Sequence, residues 1–243
     1  MPALKAYRGG WLVHYQQRGL LVRKKIYVEG VIFDLDGTLI DSTVQHYQAT
    51  MAVVEKLGGT ECSFARYRSL LQHHTHFTMY QKLGVQADEK SIVRAFMAVW
   101  LKFSRSITPM PGVYDMLKNL WEKGVVLGLV SGSQQHILRA SLQNFNLSHF
   151  FDAAYMHGSS EKSLVRKEVA FAELMHTWRI PALRIATVGD MPFEMHAAKK
   201  HGMHAIGFLG GLGTQTTLKE AGADYCIRKL STLADVIHRE RNV

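Results

Sequence analysis

Asp34-Leu35-Asp36-Gly37-Thr38 follows the apolar run Gly30-Val31-Ile32-Phe33, so two carboxylates stand two residues apart where a buried strand meets a glycine turn. Side chains alternate along a strand, and Asp34 and Asp36 would share a face if the strand simply continued. Gly37 favours a turn instead, which lets the two acids reach one substrate atom from different directions. One carboxylate that stays ionised beside another that carries a proton is the pairing that covalent phosphoryl transfer needs. Taken alone, the string also reads as a plain strand end, because Asp and Gly suit turns for backbone reasons.

Three further polar clusters follow. Ser131-Gly132-Ser133 comes after the run ending at Val130; it offers a hydroxyl and a glycine whose N–H can approach a phosphate oxygen at a helix start, or a simple helix cap. Lys167 stands near the start of a helical stretch ahead of the fourth apolar run, with Lys162 as the alternative lysine. Gly189-Asp190-Met191-Pro192-Phe193-Glu194 places two more acids four residues apart after Val188. By themselves, Asp190 suits a turn and Glu194 the first turn of a helix.

The elements that must position these groups are read from periodicity. Segments 31–34, 125–130, 150–155, 185–188, 204–208 and 225–227 are β-rich and mostly apolar throughout, as expected of strands covered on both faces. Between them, 113–123, 134–145, 167–178, 193–201, 214–221 and 231–240 have helical character. This alternation predicts an α/β fold with a doubly wound parallel sheet. Ligands of such sheets bind outside the carboxyl ends of the strands, where all four clusters fall.

Residues 42–108 break the alternation, with no convincing strand. Val44, Tyr47, Met51, Val54 and Leu57, and again Ile92, Phe96, Val99, Trp100 and Phe103, follow helical spacing. An all-helical insert is expected there, with Pro109 and Pro111-Gly112 marking the return. The chain thus divides into a basic extension (1–28), an α/β core (29–41 and 109–243) and a helical cap (42–108).

At 243 residues and 47% hydrophobic content, the chain can bury a full α/β core and carry an insert. No apolar run approaches the ~18–20 residues of a membrane span, and no secretory signal is evident, so a soluble, cytoplasmic protein is expected. Two cysteines, Cys62 and Cys226, suggest neither a disulfide framework nor a zinc site. The net charge of +9 is concentrated: residues 1–25 hold six of the 29 basic residues and no acid, leaving 23 against 20 elsewhere. That tail is compatible with an incidental extension, including a strand pair at 11–15 and 20–22, with organellar targeting, or with a nucleic-acid-binding arm. It contains neither Ser nor Thr, which counts against a transit peptide.

Taken together, the four clusters resemble the motifs of the haloacid dehalogenase-like hydrolase superfamily, in its phosphatase branch with a helical cap after the first motif, phosphoglycolate phosphatase-like. The resemblance runs from about residue 30 to about residue 238 and includes Thr108-Pro109-Met110-Pro111-Gly112-Val113 and Ala197-Ala198-Lys199-Lys200-His201-Gly202-Met203. It implies that Asp34 attacks phosphorus to form an aspartyl-phosphate and that Asp36 protonates the leaving oxygen, then deprotonates water. It implies Mg²⁺ held by the Asp34 carboxylate, the Asp36 main-chain carbonyl and Asp190, with Glu194 ligating directly or through water. Ser131, Gly132 and Lys167 would bind the phosphoryl oxygens. The chain departs from the family in having Glu194 where Asp is commoner, and in lacking a proline after either candidate lysine.

Asp36 argues against a dehalogenase, which needs no second acid; a phosphomutase would use the same residues as a phosphatase. A non-catalytic protein binding nucleic acid through its tail has no reason to keep Asp34, Asp36, Ser131, Lys167 and Asp190 together. The expected substrate is a small phosphorylated metabolite, a phosphoglycolate-like molecule or a sugar phosphate, because a closing lid leaves little room for a macromolecule. His73-His74-Thr75-His76, with Arg66 and Arg68 before it, is expected to face the site and meet the substrate's non-phosphate end rather than bind metal. Trp100 and Phe103 are expected in the cap core.

Overall fold

The structure, a computed structural model, describes residues 25–152, 156–159 and 166–239. The expected tail strands at 11–15 and 20–22, and Lys162, lie outside the described residues. The chain enters through β1 (Ile26–Tyr27) and β2 (Gly30–Phe33), turns into β3 (Ile40–Asp41), and runs through α1 (Thr43–Lys56), α2 (Phe64–His73), α3 (His76–Lys82) and α4 (Glu89–Phe103) to β4 (Thr108–Pro109). Helices and strands then alternate: α5 (Val113–Glu122), β5 (Val126–Gln134), α6 (Gln135–Asn144), β6 (Met156–Ser159), α7 (Lys167–Trp178) and β7 (Ile185–Gly189). The remainder is α8 (Pro192–Lys200), β8 (His204–Phe208), α9 (Gln215–Glu220), β9 (Tyr225–Ile227), α10 (Leu233–Val236) and β10 (Ile237–His238).

Six strands form a parallel sheet in the spatial order β6-β5-β2-β7-β8-β9. The chain builds outward from β2 to β5 and β6, then crosses to β7 on the other side, so the topological switch lies at β2. Successive residues of β2 face opposite layers, as strand geometry requires. Val31 and Phe33 join the cluster formed with α5, α6 and α10. Ile32 joins the one formed with α7, α8 and α9.

The helical insert has its own apolar cluster, drawn from α1, α2, α3 and α4, and including Met191 from the loop after β7. Its two ends are zipped together, with β3 and β4 pairing antiparallel and Ile40 opposite Pro109. A third small pairing joins β1 to β10 in parallel, and Val28 is fully buried.

The doubly wound sheet and helical insert agree with the sequence expectation, but three segments differ. Within segment 150–155 the described residues form no strand: Phe150 and Phe151 are buried anchors, residues 153–155 lie outside the described residues, and β6 spans Met156–Ser159. Segment 231–240 is not one helix; it stops after Val236 so that Ile237 and His238 can pair with β1, and residue 240 lies outside the described residues. Ser131-Gly132-Ser133 does not open a helix. It lies in the last part of β5, where the register with β6 shifts, and α6 begins at Gln135.

Candidate active site

The carboxyl end of β2 turns abruptly. The Leu35 carbonyl accepts from the amides of Thr38, Leu39 and Ile40, and Gly37 lies in the left-handed region at φ +74°. A side chain at Gly37 would also collide with Asp190, since a Cβ there falls 2.7 Å from Oδ2. Glycine is therefore required on two counts, conformation and space. The turn separates the two acids of the motif into different surroundings.

Asp34 is 8% exposed, and its amide donates to the Val188 carbonyl of β7. Its Oδ1 accepts from Lys167 Nζ, which also donates to Glu194 Oε1 and, at 3.0 Å, to the Val130 carbonyl. Lys167 thus ties β2, β5 and α8 together from the first residue of α7. Glu194 turns its other oxygen to the Met191 amide at the start of α8, 3.1 Å away. Asp190 accepts from the Leu212 amide at 2.7 Å through Oδ2.

Asp36 faces the other way, into a set of donors. Ser42 and His46 approach Oδ1 at 2.9 and 3.2 Å, and Ser133 and Ser131 approach Oδ2 at 2.7 and 3.4 Å. His46, on α1, is held against Trp100 and Phe96 of α4, with ring centroids 4.4 and 5.6 Å away. Helix α1 and the sheet therefore both grip the same carboxylate.

Electrostatics follow from this geometry. Burial, then Glu194, raises Asp34 well above the usual carboxylate range despite Lys167. Burial, then Asp34, pushes Asp190 up to about 7, and burial raises Glu194. Burial would lower Lys167, but Asp34 and Glu194 outweigh it and hold its ammonium above its ordinary value. Burial would likewise raise Asp36, yet His46, Ser133 and Ser42 together hold it below the carboxylate range. Oxygens of Asp34, Asp190 and Glu194 lie within 4.8 Å of one another, the one such cluster among the described residues. Three buried carboxylates lie around one lysine that bonds two of them, Asp34 and Glu194, an excess of negative charge that a divalent cation would relieve. All-oxygen donors suit a hard ion.

The structure thus brings together Asp34, Asp36, Ser131, Lys167, Asp190 and Glu194. Gly132 is exposed at the strand end. Ser131 is buried, its hydroxyl turned toward Asp36 and accepting from the Ser133 amide at 3.0 Å. Of the histidine run, His73 closes α2 and Thr75 caps α3. His76 is exposed as a residue, and its imidazole lies in the field of His46 and Asp36. Arg66 is exposed, whereas Arg68 is spent on carbonyls of Leu212 and Gly213. Trp100 is buried and Phe103 partly so, but contrary to expectation both pack with the cluster of the α/β core rather than with the cap's own, since the end of α4 leads back to the core. Sequence reading missed Ser42 and His46 and gave Ser133, within its cluster, no separate role; the helical spacing of Ser42 and His46 just past the motif was the available signal.

Comparison with known proteins agrees with this arrangement. Residues 31–208 match the family described as haloacid dehalogenase-like hydrolase. The phosphoglycolate phosphatase of Synechococcus elongatus is 22% identical over 213 residues, covering 86% of this chain and 97% of that protein. That of Vibrio vulnificus is 26% identical over 222 residues, covering 85% and 95%. Among solved structures, a haloacid dehalogenase-like family hydrolase from Streptococcus pneumoniae superposes with a TM-score of 0.70 at 20% identity, covering 85% of this chain and 96% of that one. A hydrolase from Pseudomonas syringae gives 0.71 at 18%, covering 86% and 100%.

Proposed function

The chain belongs to the haloacid dehalogenase-like hydrolases, and from that premise we propose that it is a Mg²⁺-dependent phosphatase that cleaves a small phosphomonoester, phosphoglycolate-like or a sugar phosphate, through an aspartyl-phosphate. The observation that carries this reading is the opposite treatment of two buried acids two residues apart: Asp34 beside Lys167 and two further carboxylates, Asp36 among hydroxyls and an imidazole.

Asp34 is the nucleophile. Lys167 holds its carboxylate in place at the strand end and supplies positive charge where the phosphoryl oxygens gather in the transition state. Asp34, Asp190 and Glu194, with the Asp36 carbonyl, would hold Mg²⁺, which when bound neutralises charge on the transferring phosphoryl group. Asp36 handles the proton. Its ionised form, favoured by Ser42, His46 and Ser133, is the one that takes a proton from the hydrolytic water. A phosphate anion arriving beside it disfavours that charge and equips the same group to protonate the leaving oxygen. Ser131 and Gly132, near the end of β5, would bind the phosphoryl oxygens.

Residues 42–108 act as the cap over a core of 29–41 and 109–243, to which β1 and the buried Val28 also belong. Asp34 is almost closed off from solvent and helix α1 reaches Asp36, which favours a small substrate over a macromolecule. The phosphoglycolate phosphatase relatives support the same class. Among the described residues, no helix is long and apolar enough to cross a membrane.

A panel of phosphoesters assayed with and without Mg²⁺ tests the reading, with Asp34→Asn as control. Turnover should require the metal and fall by about 10³-fold or more in the variant, as loss of a covalent nucleophile does. Comparable turnover in Asp34→Asn would remove Asp34 as the nucleophile.

A further inference from the structure

Arg68 and Gln72 lie one turn apart on α2, so both face the same side of the helix. That side meets the loop after β8. Arg68 Nε and Gln72 Nε2 both donate to the Leu212 carbonyl, the latter at 3.0 Å, and Arg68 Nη2 donates to the Gly213 carbonyl at 2.8 Å. The same loop holds Asp190 from its other edge. The Leu212 amide donates to Asp190 Oδ2 at 2.7 Å, and the Gly213 amide donates to the Asp190 carbonyl at 2.9 Å.

The Leu212–Gly213 peptide is therefore pinned at both ends. Its carbonyl points to the cap and its N–H, that of Gly213, to the Asp190 main-chain carbonyl, and because a peptide unit is planar and stiff, fixing one end orients the other; the amide on the Asp190 carboxylate is that of Leu212, in the peptide just before it. Apolar packing repeats the connection: Met191, next to Asp190, and Leu212 both pack with the cap's cluster. Space is tight as well, since a Cβ at Gly211 would fall 2.1 Å from Asp190 Oδ2. A guanidinium suits this task because its rigid fork can address two carbonyls at once.

We propose that Arg68 is a positioning residue for Asp190: from the cap it clamps the Leu212–Gly213 peptide, which holds the Asp190 main-chain carbonyl, and so fixes Leu212, whose own amide holds the aspartate's carboxylate. The proposal rests on the reading of Asp190 as part of the active site. Seating the cap then completes the acidic cluster, and an unseated cap leaves the loop, and Asp190 with it, less constrained.

Amide hydrogen exchange on the full chain tests the clamp directly, alongside Mg²⁺ titration followed by the thermal midpoint. In Arg68→Ala, the Leu212 and Gly213 amides should exchange about tenfold faster while β2 and β7 amides keep their protection. The Mg²⁺ concentration needed for half the stabilisation should rise about tenfold, the scale of losing an outer partner of a ligand. Arg68→Lys keeps the charge without the fork and should fall between the two. Unchanged exchange at Leu212 and Gly213 in Arg68→Ala would overturn the proposal. If that variant lost protection throughout the sheet, Arg68→Lys would decide, and wild-type exchange there would overturn it equally. Failure of the wild type to respond to Mg²⁺ would reject the metal reading, whereas the clamp is judged on the exchange rates alone.

Discussion

At the scale of single residues, the site works by giving like groups unlike surroundings. Asp34 and Glu194 share one lysine beside Asp190 in a buried crevice, while Asp36 is surrounded by donors. This has a consequence for pH. Burial, then Asp34, pushes Asp190 up to about 7, against about 3.9 for an unfolded aspartate. Between those values the metal-free folded chain holds a proton that the unfolded chain has lost, so stability falls as pH rises through this window. Asp34 and Glu194 are raised by burial too and add to the slope. Asp36 is held low, so its stabilising contribution is lost only as pH falls below the ordinary carboxylate range. Urea midpoints of metal-free protein should therefore rise from about pH 7.5 to about pH 5.5, and Asp190→Asn should flatten that rise. An equal slope in the variant would show that Asp190 is not its source.

At the scale of elements, support and chemistry separate. Helix α5 presents Val113, Met116, Leu117 and Leu120 to the sheet and takes no part in the hydrogen bonds of the site. Leu117 is fully buried. Leu117→Ala should cost about 2–5 kcal/mol of stability through lost burial and a cavity. Turnover per folded molecule should stay at the wild-type level; denaturant unfolding and kcat measured on the same sample check this. A fall in kcat without a fall in stability would mean that α5 helps to shape the strand ends. The insert's helices behave differently, because α1 carries Ser42 at its N-cap and His46 one turn on, both on Asp36. Elements were legible where their pattern is local: α7 begins and ends where its periodicity predicts, and Pro192 and Glu194 mark the start of α8. They were misread where a distant partner decides, as at 237–238, which pairs with β1.

For the whole molecule, the sheet joins residues far apart in the chain, while residues 1–24 lie outside the described residues. Removing residues 1–24 takes away five of the 29 basic residues but leaves β1 and the Lys25 contact to the Ala234 carbonyl. Mg²⁺-dependent turnover should survive the truncation with kcat essentially unchanged; its loss would give the tail a part in catalysis. The sequence by itself determined the alternation of buried strands and amphipathic helices, the helical insert, and the acids at the strand ends. Each of these is written in residue periods or turn preferences a few positions long. Tertiary structure alone decided that Lys167 meets Asp34 across 133 positions, that Asp36 draws on the insert as well as the sheet, and that Arg68 reaches a loop 144 residues away. No local period encodes such contacts, because they exist only once the sheet order is set and the insert has packed over its carboxyl ends.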